Sequence, residues 1–422
     1  MTELENMNAM IAPTWHFLKV NDTSIEIPDG LGASPRVEAN VPADARGAQD
    51  ALEQALAAAQ TEWEKAHPAP STKERAAQAA FLAAEADATY GGTAQSAYQV
   101  RADALEEARS LAAAFEHGTG AETATFLRNA AGERIVICAD AGKTVAAQVS
   151  AMAVPGSVSI AAIDIVAGPR STVDLSIVVG CEQEPGPSPL VGVVGSTVRV
   201  FADADSRVGI IRTQALDEGF TDVDDMALFA ADSARIDVRQ TVLGGTHAYT
   251  GLAGDLRGDA AQVNVDTRYL GYGEQTRDFN YTLRHHGSET RCNLQANGVL
   301  SGKSAKTLRG TIDLVRGCKG AEGAENETVL LVDEGVRNKT VPVILCNEDD
   351  VAGNHGATIG HIRDEQLFYL ATRGLSREAA ERMFVGAVLE QAALDAPDEA
   401  AQAAVLRLGT QLQPGFAELF EE

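Results

Sequence analysis

The stretch Cys346–His361, CNEDDVAGNHGATIGH, is the densest group of residues with chemical potential in this sequence. This stretch contains one thiol, three carboxylates and two imidazoles. Carboxylate and imidazole groups suit hard and borderline cations, so the stretch is a candidate metal site. The alternative interpretation is a tight, glycine-rich turn with solvated acids. The residue types alone leave both interpretations open.

Five cysteines are a second possible source of chemistry. They are Cys138, Cys181, Cys292, Cys318 and Cys346. Their number is odd, their spacings are long and no CxxC occurs, which excludes a zinc knuckle or a ferredoxin-type cluster motif. Unpaired thiols are typical of a reducing compartment, so the chain is expected to be cytoplasmic. A buried cysteine behaves as a small hydrophobe, and a structural role is the default for each.

His285 and His286 are adjacent in the strand-like run FNYTLRHHGSE. Adjacent strand residues point to opposite faces, so one imidazole is expected inside and the other outside. The pair therefore does not chelate as two neighbours on one face. The sequence contains no GxxxxGK[ST], HExxH or GxSxG motif, and no GxGxxG follows a strand. Any ATP chemistry would have to belong to a partner.

Alternating apolar and polar residues predict short strands from about residue 123 to about Leu345, with residues 173–179 the clearest case. Turn signals such as Pro155-Gly156 separate the runs. So many strands need either a large sandwich or a solenoid. The low aromatic content, 5%, favours a β-helix. No clean repeat period emerges, and a short helical turn is predicted near Asp224–Ala230.

Helical patterns flank the strands. Residues 45–117 are rich in Ala, Glu, Gln and Leu and predict a helical hairpin or three-helix region. Further helices are predicted to begin at Glu365, after a cap at Ser376, and at Glu399. The apolar segment PTWHFLKV near the N-terminus is typical of a docking strap. The predicted organisation is an N-terminal strap with Ala-rich helices at 1–120, a β-helix core at 121–348 and a C-terminal helical domain at 349–422.

Charge and composition exclude several classes of function. The chain has 422 residues, with 34 Lys and Arg against 60 Asp and Glu, a formal charge of −26. That balance argues against broad nucleic-acid binding and against adhesion to an anionic membrane. Neither a signal peptide nor a membrane-spanning segment is expected, because the N-terminal MTELENMNAM lacks a basic region and no long apolar run occurs.

The segment DDVAGNHGATIGHIRDEQLFYLATRGLSREAAERMFVGAVLE resembles the C-terminal signature of the SufB/SufD family of iron–sulfur cluster assembly proteins. The upstream run ETVLLVDEGVRNKTVPVIL and the N-terminal APTWHFLKVN are also similar to the family. The resemblance covers about residues 120–395 and the strap. The matching residues are Asp349-Asp350-Val351, His355-Gly356-Ala357-Thr358, Gly360, Leu367-Phe368-Tyr369-Leu370 and Arg373-Gly374.

The resemblance implies a right-handed parallel β-helix flanked by α-helical N- and C-terminal regions. It also implies a non-catalytic scaffold subunit that supports assembly of a transient iron–sulfur cluster, with no tightly bound cofactor. The implied partners are a SufC-like ABC ATPase on the C-terminal helices and a SufB-like paralogue joined through the β-helix. A homodimer is the alternative when the paralogue is absent.

Within the family, the chain resembles the SufD-type branch. Gly356 follows the motif histidine where SufB-type chains carry Glu, and Val336 stands where they carry Cys. Gly353 replaces a Cys that is common in SufD-type chains. His355 is thus the residue carried over, and the resemblance implies that its imidazole ligates a nascent cluster or iron at the subunit interface. Cys346 and His361 are further candidates by sequence proximity alone.

Two other functions are considered. One is a self-sufficient homodimeric scaffold of the same family, with Cys292 or Cys318 as the sulfur acceptor. The other is a β-helix enzyme acting on acidic polysaccharide. Such enzymes need basic residues to hold uronates, so the charge of −26 argues against the second.

Overall fold

The computed structural model describes residues 2–14, 16–33, 35–66, 115–181, 191–362 and 364–420. The chain divides into two compact units, Met1–Gln49 with Glu116–Glu422, and Asp50–Phe115. In the second unit, helix α1 spans Ala51–Ala66, as the Ala-rich composition predicts. The rest of the predicted three-helix region, residues 67–114, lies outside the described residues.

The first unit begins with a strap that runs across the outside of the β core. Strands β1 (Thr2–Met7) and β2 (Thr23–Ile27) pair antiparallel, and a 3₁₀ turn at His16–Leu18 lies between them. Arg309 of the core donates to the Asp22 carbonyl at 3.2 Å. Asn8 donates to Asp278 Oδ1 at 2.7 Å. Because buried polar contacts hold it, the strap is part of the folded core unit.

Two short strands and two helical segments follow before the main β region. Their bounds are β3 (Gly32–Ala33), β4 (Arg36–Asn40), a 3₁₀ turn at Ala43–Ala45 and helix α2 (Ala121–Ala130).

Within the described residues, the main β region has sixteen strands. Their bounds are β5 (Ile135–Ala139), β6 (Thr144–Ala153), β7 (Ser157–Ala167), β8 (Thr172–Cys181), β9 (Gly192–Ala202), β10 (Arg207–Ala215), β11 (Phe220–Ala230), β12 (Arg235–Val242), β13 (His247–Leu256), β14 (Gln262–Gly271), β15 (Thr276–His285), β16 (Arg291–Leu300), β17 (Ala305–Leu314), β18 (Ala321–Leu331), β19 (Arg337–Cys346) and β20 (Val351–His361).

From β6 onward these strands alternate between two sheets, so each strand pairs in parallel with the strand two positions away. One sheet has the order β20-β18-β16-β14-β12-β10-β8-β6-β4, and the other has the order β19-β17-β15-β13-β11-β9-β7-β3 with β5 beside β7. β4 pairs antiparallel with β6 at the first end. The predicted β-helix flanked by helices is confirmed.

The backbone has a regular structural repeat that the residue types do not show. Arg207, Arg235, Gln262 and Arg291 occupy equivalent positions in successive strands, 27 to 29 residues apart. At the corner before each of these strands a residue has positive φ, for example Asp205 at 59°. Its N–H donates to a carbonyl of the next turn, Asp232 O at 2.9 Å. The repeated feature is a backbone conformation, which different residue types adopt, so no residue period appears.

The prediction of a short helical turn near residues 224–230 is wrong, because these residues belong to strand β11. It is a buried strand, with Asp222 and Asp224 facing the interior. Both carboxylates lie against the fully buried Arg212, which donates to Asp222 Oδ1 at 2.5 Å. These inward acids interrupt the apolar alternation, and the buried Arg212 that lies against both of them belongs to the preceding strand, β10.

The C-terminal helices are α3 (Asp364–Thr372), α4 (Arg377–Leu394) and α5 (Glu399–Leu412), followed by a 3₁₀ turn at Ala417–Phe420. The predicted cap is present, because Ala379 N–H donates to Ser376 Oγ at 3.2 Å. Leu389 and Leu408 form an apolar cluster with Leu243 at the ends of core strands. Helices α4 and α5 therefore pack on the outside of the β core.

The β core extends past residue 348, where the predicted β-helix ends. β20 runs from Val351 to His361, inside the segment 349–422 that was predicted to be helical, and it belongs to the same compact unit as the C-terminal helices. β20 is exposed along much of its length, which is why its polar residues and glycines read as a turn.

Candidate functional site

Strands β19 and β20 end the two sheets, and within the described part of the chain each pairs with a neighbour on one side only. We call this region the open end. In register, Val265, Leu294, Glu325 and His355 form one column across successive strands. Val265 and Leu294 are buried in the core, so the whole column faces the interior of the solenoid. The column changes from apolar to polar in the last two turns.

Glu325 is a buried carboxyl group in this column. Its side chain is 3% exposed, and neither carboxylate oxygen has a hydrogen-bond partner within the described residues. Gly310 provides the space, since a Cβ there would lie 2.4 Å from Glu325 Oε1. Burial, and after it the charge of Glu327, raises the pKa of Glu325 to about 7, while Lys306 opposes the shift.

His355 lies directly beside Glu325 on the edge strand. Its Nδ1 is 3.9 Å from Glu325 Oε2, and its side chain is 35% exposed. The imidazole is therefore accessible from outside, while the carboxylate is not. An accessible imidazole above a buried carboxylate can hold a cation or exchange a proton.

A second buried acid, Glu327, is fully paired. It forms a buried ion pair with Lys306 and accepts a hydrogen bond from Tyr269 OH at 3.2 Å. Thr340 on the edge strand donates to Glu327 Oε2 at 2.5 Å and accepts from Lys306 Nζ at 3.1 Å. Burial lowers the pKa of Lys306, and Glu327 opposes that shift. This network links the open end to the interior of the core.

The other two candidates from the signature stretch are also on edge strands. Cys346 ends β19, is exposed, and has its Sγ 3.3 Å from the Glu348 carbonyl. His361 ends β20, in register with Leu331. Among the described residues, no group of three or more His, Cys, Asp and Glu side chains is arranged to hold a metal ion. The open end thus offers single ligands and no complete site.

The remaining cysteines are poor nucleophiles where they stand. Cys292 and Cys318 are buried, and Cys318 lies in the turn after β17. Burial raises the pKa of Cys292 to about 12 and those of Cys318 and Cys181 to about 11. Cys138 is half-buried, and its pKa is also raised by burial. Thiols with such pKa values are protonated near neutral pH.

The histidine pair is not part of the open end. His285 is fully buried, with its Nδ1 2.8 Å from Thr290 Oγ1, and burial lowers its pKa to about 4. His286 follows the end of β15, and burial lowers its pKa to about 3. Both imidazoles are therefore neutral near pH 7.

Sequence reasoning missed Glu325, Glu327 and Lys306. In the run AEGAENETVLL every second residue faces the interior, and the two glutamates occupy inward positions. The available signal was this parity, counted back from Val329 and Leu331. This parity predicts that both glutamates are buried, and a buried carboxylate is usually paired with a cation or protonated.

The raised pKa of Glu325 gives the protein a measurable pH dependence. The folded-state pKa of about 7 exceeds the ordinary 4.5, so the carboxyl makes its full contribution below about pH 4.5 and loses it as pH rises to about 7. Glu325→Gln removes this titration. The difference in free energy of unfolding between variant and native protein should grow by about 2 kcal/mol between pH 5 and pH 8. Urea unfolding at both pH values measures it, with the exposed Glu322→Gln as the control. A constant difference would contradict the burial argument.

Comparison with known proteins identifies the family to which this chain belongs. A family model described as "SUF system FeS cluster assembly, SufBD core domain" matches residues 130–388. The chain belongs to the SufB/SufD family. The matched segment contains β6 to β20, and so both edge strands and His355. The resemblance drawn from the C-terminal signature is confirmed.

Several SufB/SufD relatives share part of this chain. It is 30% identical over 145 residues to the iron–sulfur cluster assembly protein SufD of Bacillus subtilis, covering 34% of this chain and 33% of the relative. It is 25% identical over 189 residues to SufD of Escherichia coli, covering 44% and 45%. A SufBD family protein of Mycobacterium leprae is 33% identical over 145 residues, covering 34% and 17%. The matches thus span less than half of each relative, and the chain is SufD-like.

Among the described residues, no helix is long and apolar enough to cross a membrane.

Proposed function

We propose that this chain is a SufD-like, non-catalytic subunit of a cytoplasmic iron–sulfur cluster assembly complex. The observation that carries the proposal is the open end, where two strand edges with no partner among the described residues lie beside an accessible inward-facing histidine. Membership of the SufB/SufD family supports the general role. The cluster is the product that the complex assembles and passes on, so this chain holds it only transiently.

The open end has the properties of a surface that pairs with another solenoid. Edge strands present unpaired N–H and C=O groups, which another strand edge satisfies. Ile344 and Ile359, on the two edge strands, are large apolar residues exposed to solvent. A partner with the same architecture, a SufB-like paralogue, would extend both sheets at once and cover these side chains.

His355 contributes one ligand to iron or to the nascent cluster at this junction. A single imidazole does not hold a metal ion firmly, and within the described residues no complete ligand set surrounds it. The other ligands therefore come from the partner or from sulfide. Assembly then depends on docking, because neither surface alone completes the site.

The C-terminal helices supply a second surface. Phe368 and Tyr369 on α3 and Met383 on α4 are exposed large apolar side chains. The Arg373 guanidinium lies 5.2 Å from the centre of the Tyr369 ring. Aromatic residues and arginine dominate the binding energy of protein interfaces. We assign this surface to a SufC-like ABC ATPase, because this sequence has no phosphate-binding loop of its own.

Anaerobic co-expression tests the complex directly. The tagged chain is expressed with the SufB-like and SufC-like proteins of its own genome, then purified by pull-down and size exclusion. Co-elution of all three proteins is the expected result. Elution of this chain alone as a homodimer that assembles a cysteine-dependent cluster would favour the self-sufficient scaffold instead. The raised pKa values of Cys292 and Cys318 argue against that alternative.

A charge at the open end should prevent docking. Ile359→Asp places a carboxylate where the partner would cover an apolar side chain, and burying an unpaired charge opposes association. We expect the affinity for the SufB-like protein to fall at least about tenfold, which corresponds to roughly 1.4 kcal/mol or more of binding free energy, and less of that protein to co-purify. SufC-like protein should still bind through α3 and α4.

Val191→Asp is the control for this experiment. Val191 is also an exposed apolar residue, but it precedes β9, which lies five strands away from the β19 edge in its sheet. This variant should co-purify normally. Equal recovery of the SufB-like protein with Ile359→Asp and with the native chain would exclude the open end as the docking surface.

A further inference from the structure

Among the residues that the structure describes, Glu325 has no hydrogen-bond partner that accounts for its burial. A carboxylate taken out of water without hydrogen bonds is costly, and such groups are retained where they serve a purpose. The nearby cation, Lys306, is already committed to Glu327 and Thr340. Glu325 instead faces the imidazole of His355, with Oε2 3.9 Å from Nδ1.

We propose that Glu325 is a positioning residue, which accepts a hydrogen bond from Nδ1–H of His355 and so keeps Nε2 unprotonated as the ligand nitrogen. The neutral ring carries one proton, and the hydrogen bond made by one nitrogen determines which tautomer is present. The tautomer is a property of this chain alone. Only the identity of the ligand, iron or a cluster, rests on the proposed function.

A small movement of the ring forms this bond. The present separation is about 1 Å longer than a usual N–H···O hydrogen bond. The carboxylate is buried and lies beside Gly310. The ring is the part that can turn, since it lies on an edge strand and is 35% exposed.

A hydrogen bond between Glu325 and His355 would affect how tightly His355 binds a metal ion. Histidine ligands usually donate their second N–H to a carboxylate, carbonyl or water, which fixes the ring orientation and raises the basicity of the ligating nitrogen. Removing such a support typically lowers metal affinity 10- to 100-fold. Glu325 would act on the cluster through His355, without touching it.

Nuclear magnetic resonance of the full chain tests the tautomer. The protein is labelled with ¹⁵N-histidine, and long-range ¹H–¹⁵N correlations are recorded at pH 8.5, where imidazoles are neutral. The His355 signals are those missing in His355→Gln. We expect protonated Nδ1 in the native chain and mainly protonated Nε2 in Glu325→Ala. The same tautomer in both proteins, or Nε2–H in the native chain, would overturn the inference.

Two further variants separate a hydrogen bond from a general structural effect. Glu325→Gln retains an acceptor oxygen and nearly the same shape, so it should keep the native tautomer at least in part. Glu322→Ala lies on the outer face of the same strand, where Glu322 has an exposed contact with Arg291. It should leave the His355 signals unchanged. A loss of the native tautomer in Glu322→Ala would show that the readout reports strand distortion and would overturn the assignment to Glu325.

The assembled complex distinguishes this inference from the proposed function. Glu325→Ala should lower the affinity for added Fe(II) on the order of 10- to 100-fold, with Glu325→Gln between it and the native protein. If His355→Ala abolishes cluster assembly while Glu325→Ala changes neither tautomer nor affinity, the inference fails and the proposed function stands. If the tautomer changes as expected while His355→Ala has no effect on assembly, the proposed function fails instead.

Discussion

Lys306→Met is expected to destabilise the protein by about 3–5 kcal/mol, the usual result of removing one partner from a buried ion pair. Both side chains of the Lys306–Glu327 pair are inaccessible to solvent. Without the ammonium group, Glu327 keeps only the hydrogen bonds from Tyr269 and Thr340. The free energy of unfolding, measured by urea denaturation followed by circular dichroism, should fall by that amount.

A double variant tests whether the unpaired charge of Glu327 causes the loss of stability in Lys306→Met. Lys306→Met with Glu327→Gln removes both charges and keeps acceptor and donor groups near Tyr269 and Thr340, so most of the lost stability should return. Lys303→Met is the matched control. Lys303 pairs with Glu274 at 3.4 Å on the surface, and exposed pairs contribute little. If Lys306→Met is as mild as Lys303→Met, the buried pair is not a determinant of stability.

His355→Ala is expected to lower the yield of assembled cluster by at least about tenfold, since loss of a ligand should exceed the loss of its support. The substitution should leave the fold intact, because the ring lies on an edge strand and is 35% exposed. The measurement is anaerobic reconstitution in the purified three-protein complex, followed by visible absorption and iron and sulfide analysis.

Two variants of the same strand sharpen the His355 experiment. Thr358→Ala changes an exposed residue on the opposite face of β20 and should have no effect. His361→Ala removes the other imidazole of β20 and should have a smaller effect than His355→Ala. An unchanged cluster yield with His355→Ala, in a complex of verified composition, would remove His355 from the site.

The sequence predicted the architecture because the solenoid follows a simple rule over most of its length. Residues 173–177, for example, alternate between buried Val, Leu and Ile and the outward Asp174 and Ser176, and they lie within β8. The same rule failed at β11, where Asp222 and Asp224 replace apolar residues on the inner face. Their shared ion-pair partner, Arg212, belongs to the preceding strand β10, and the alternation within β11 does not reveal that contact.

The candidate site was predicted only in part for the same reason. His355 was found through a family motif, and the structure places it at the edge of the solenoid. Glu325 is 30 residues away and becomes its neighbour only through the parallel register of β18 and β20. A one-residue change of register would place Glu325 on the outer face, so its role depends on pairing that sequence alone does not specify.

The alternation of strands between two sheets has a consequence for how partner choice is encoded. Most protein interfaces are assembled from segments scattered along the chain. Here β19 and β20 are consecutive strands, so both free edges and His355 come from the single stretch 337–361. The features that would select a partner are therefore encoded in one continuous segment of the sequence. Paralogues built on this solenoid can diverge in partner and in ligand there, while the preceding turns keep only their requirement to stack.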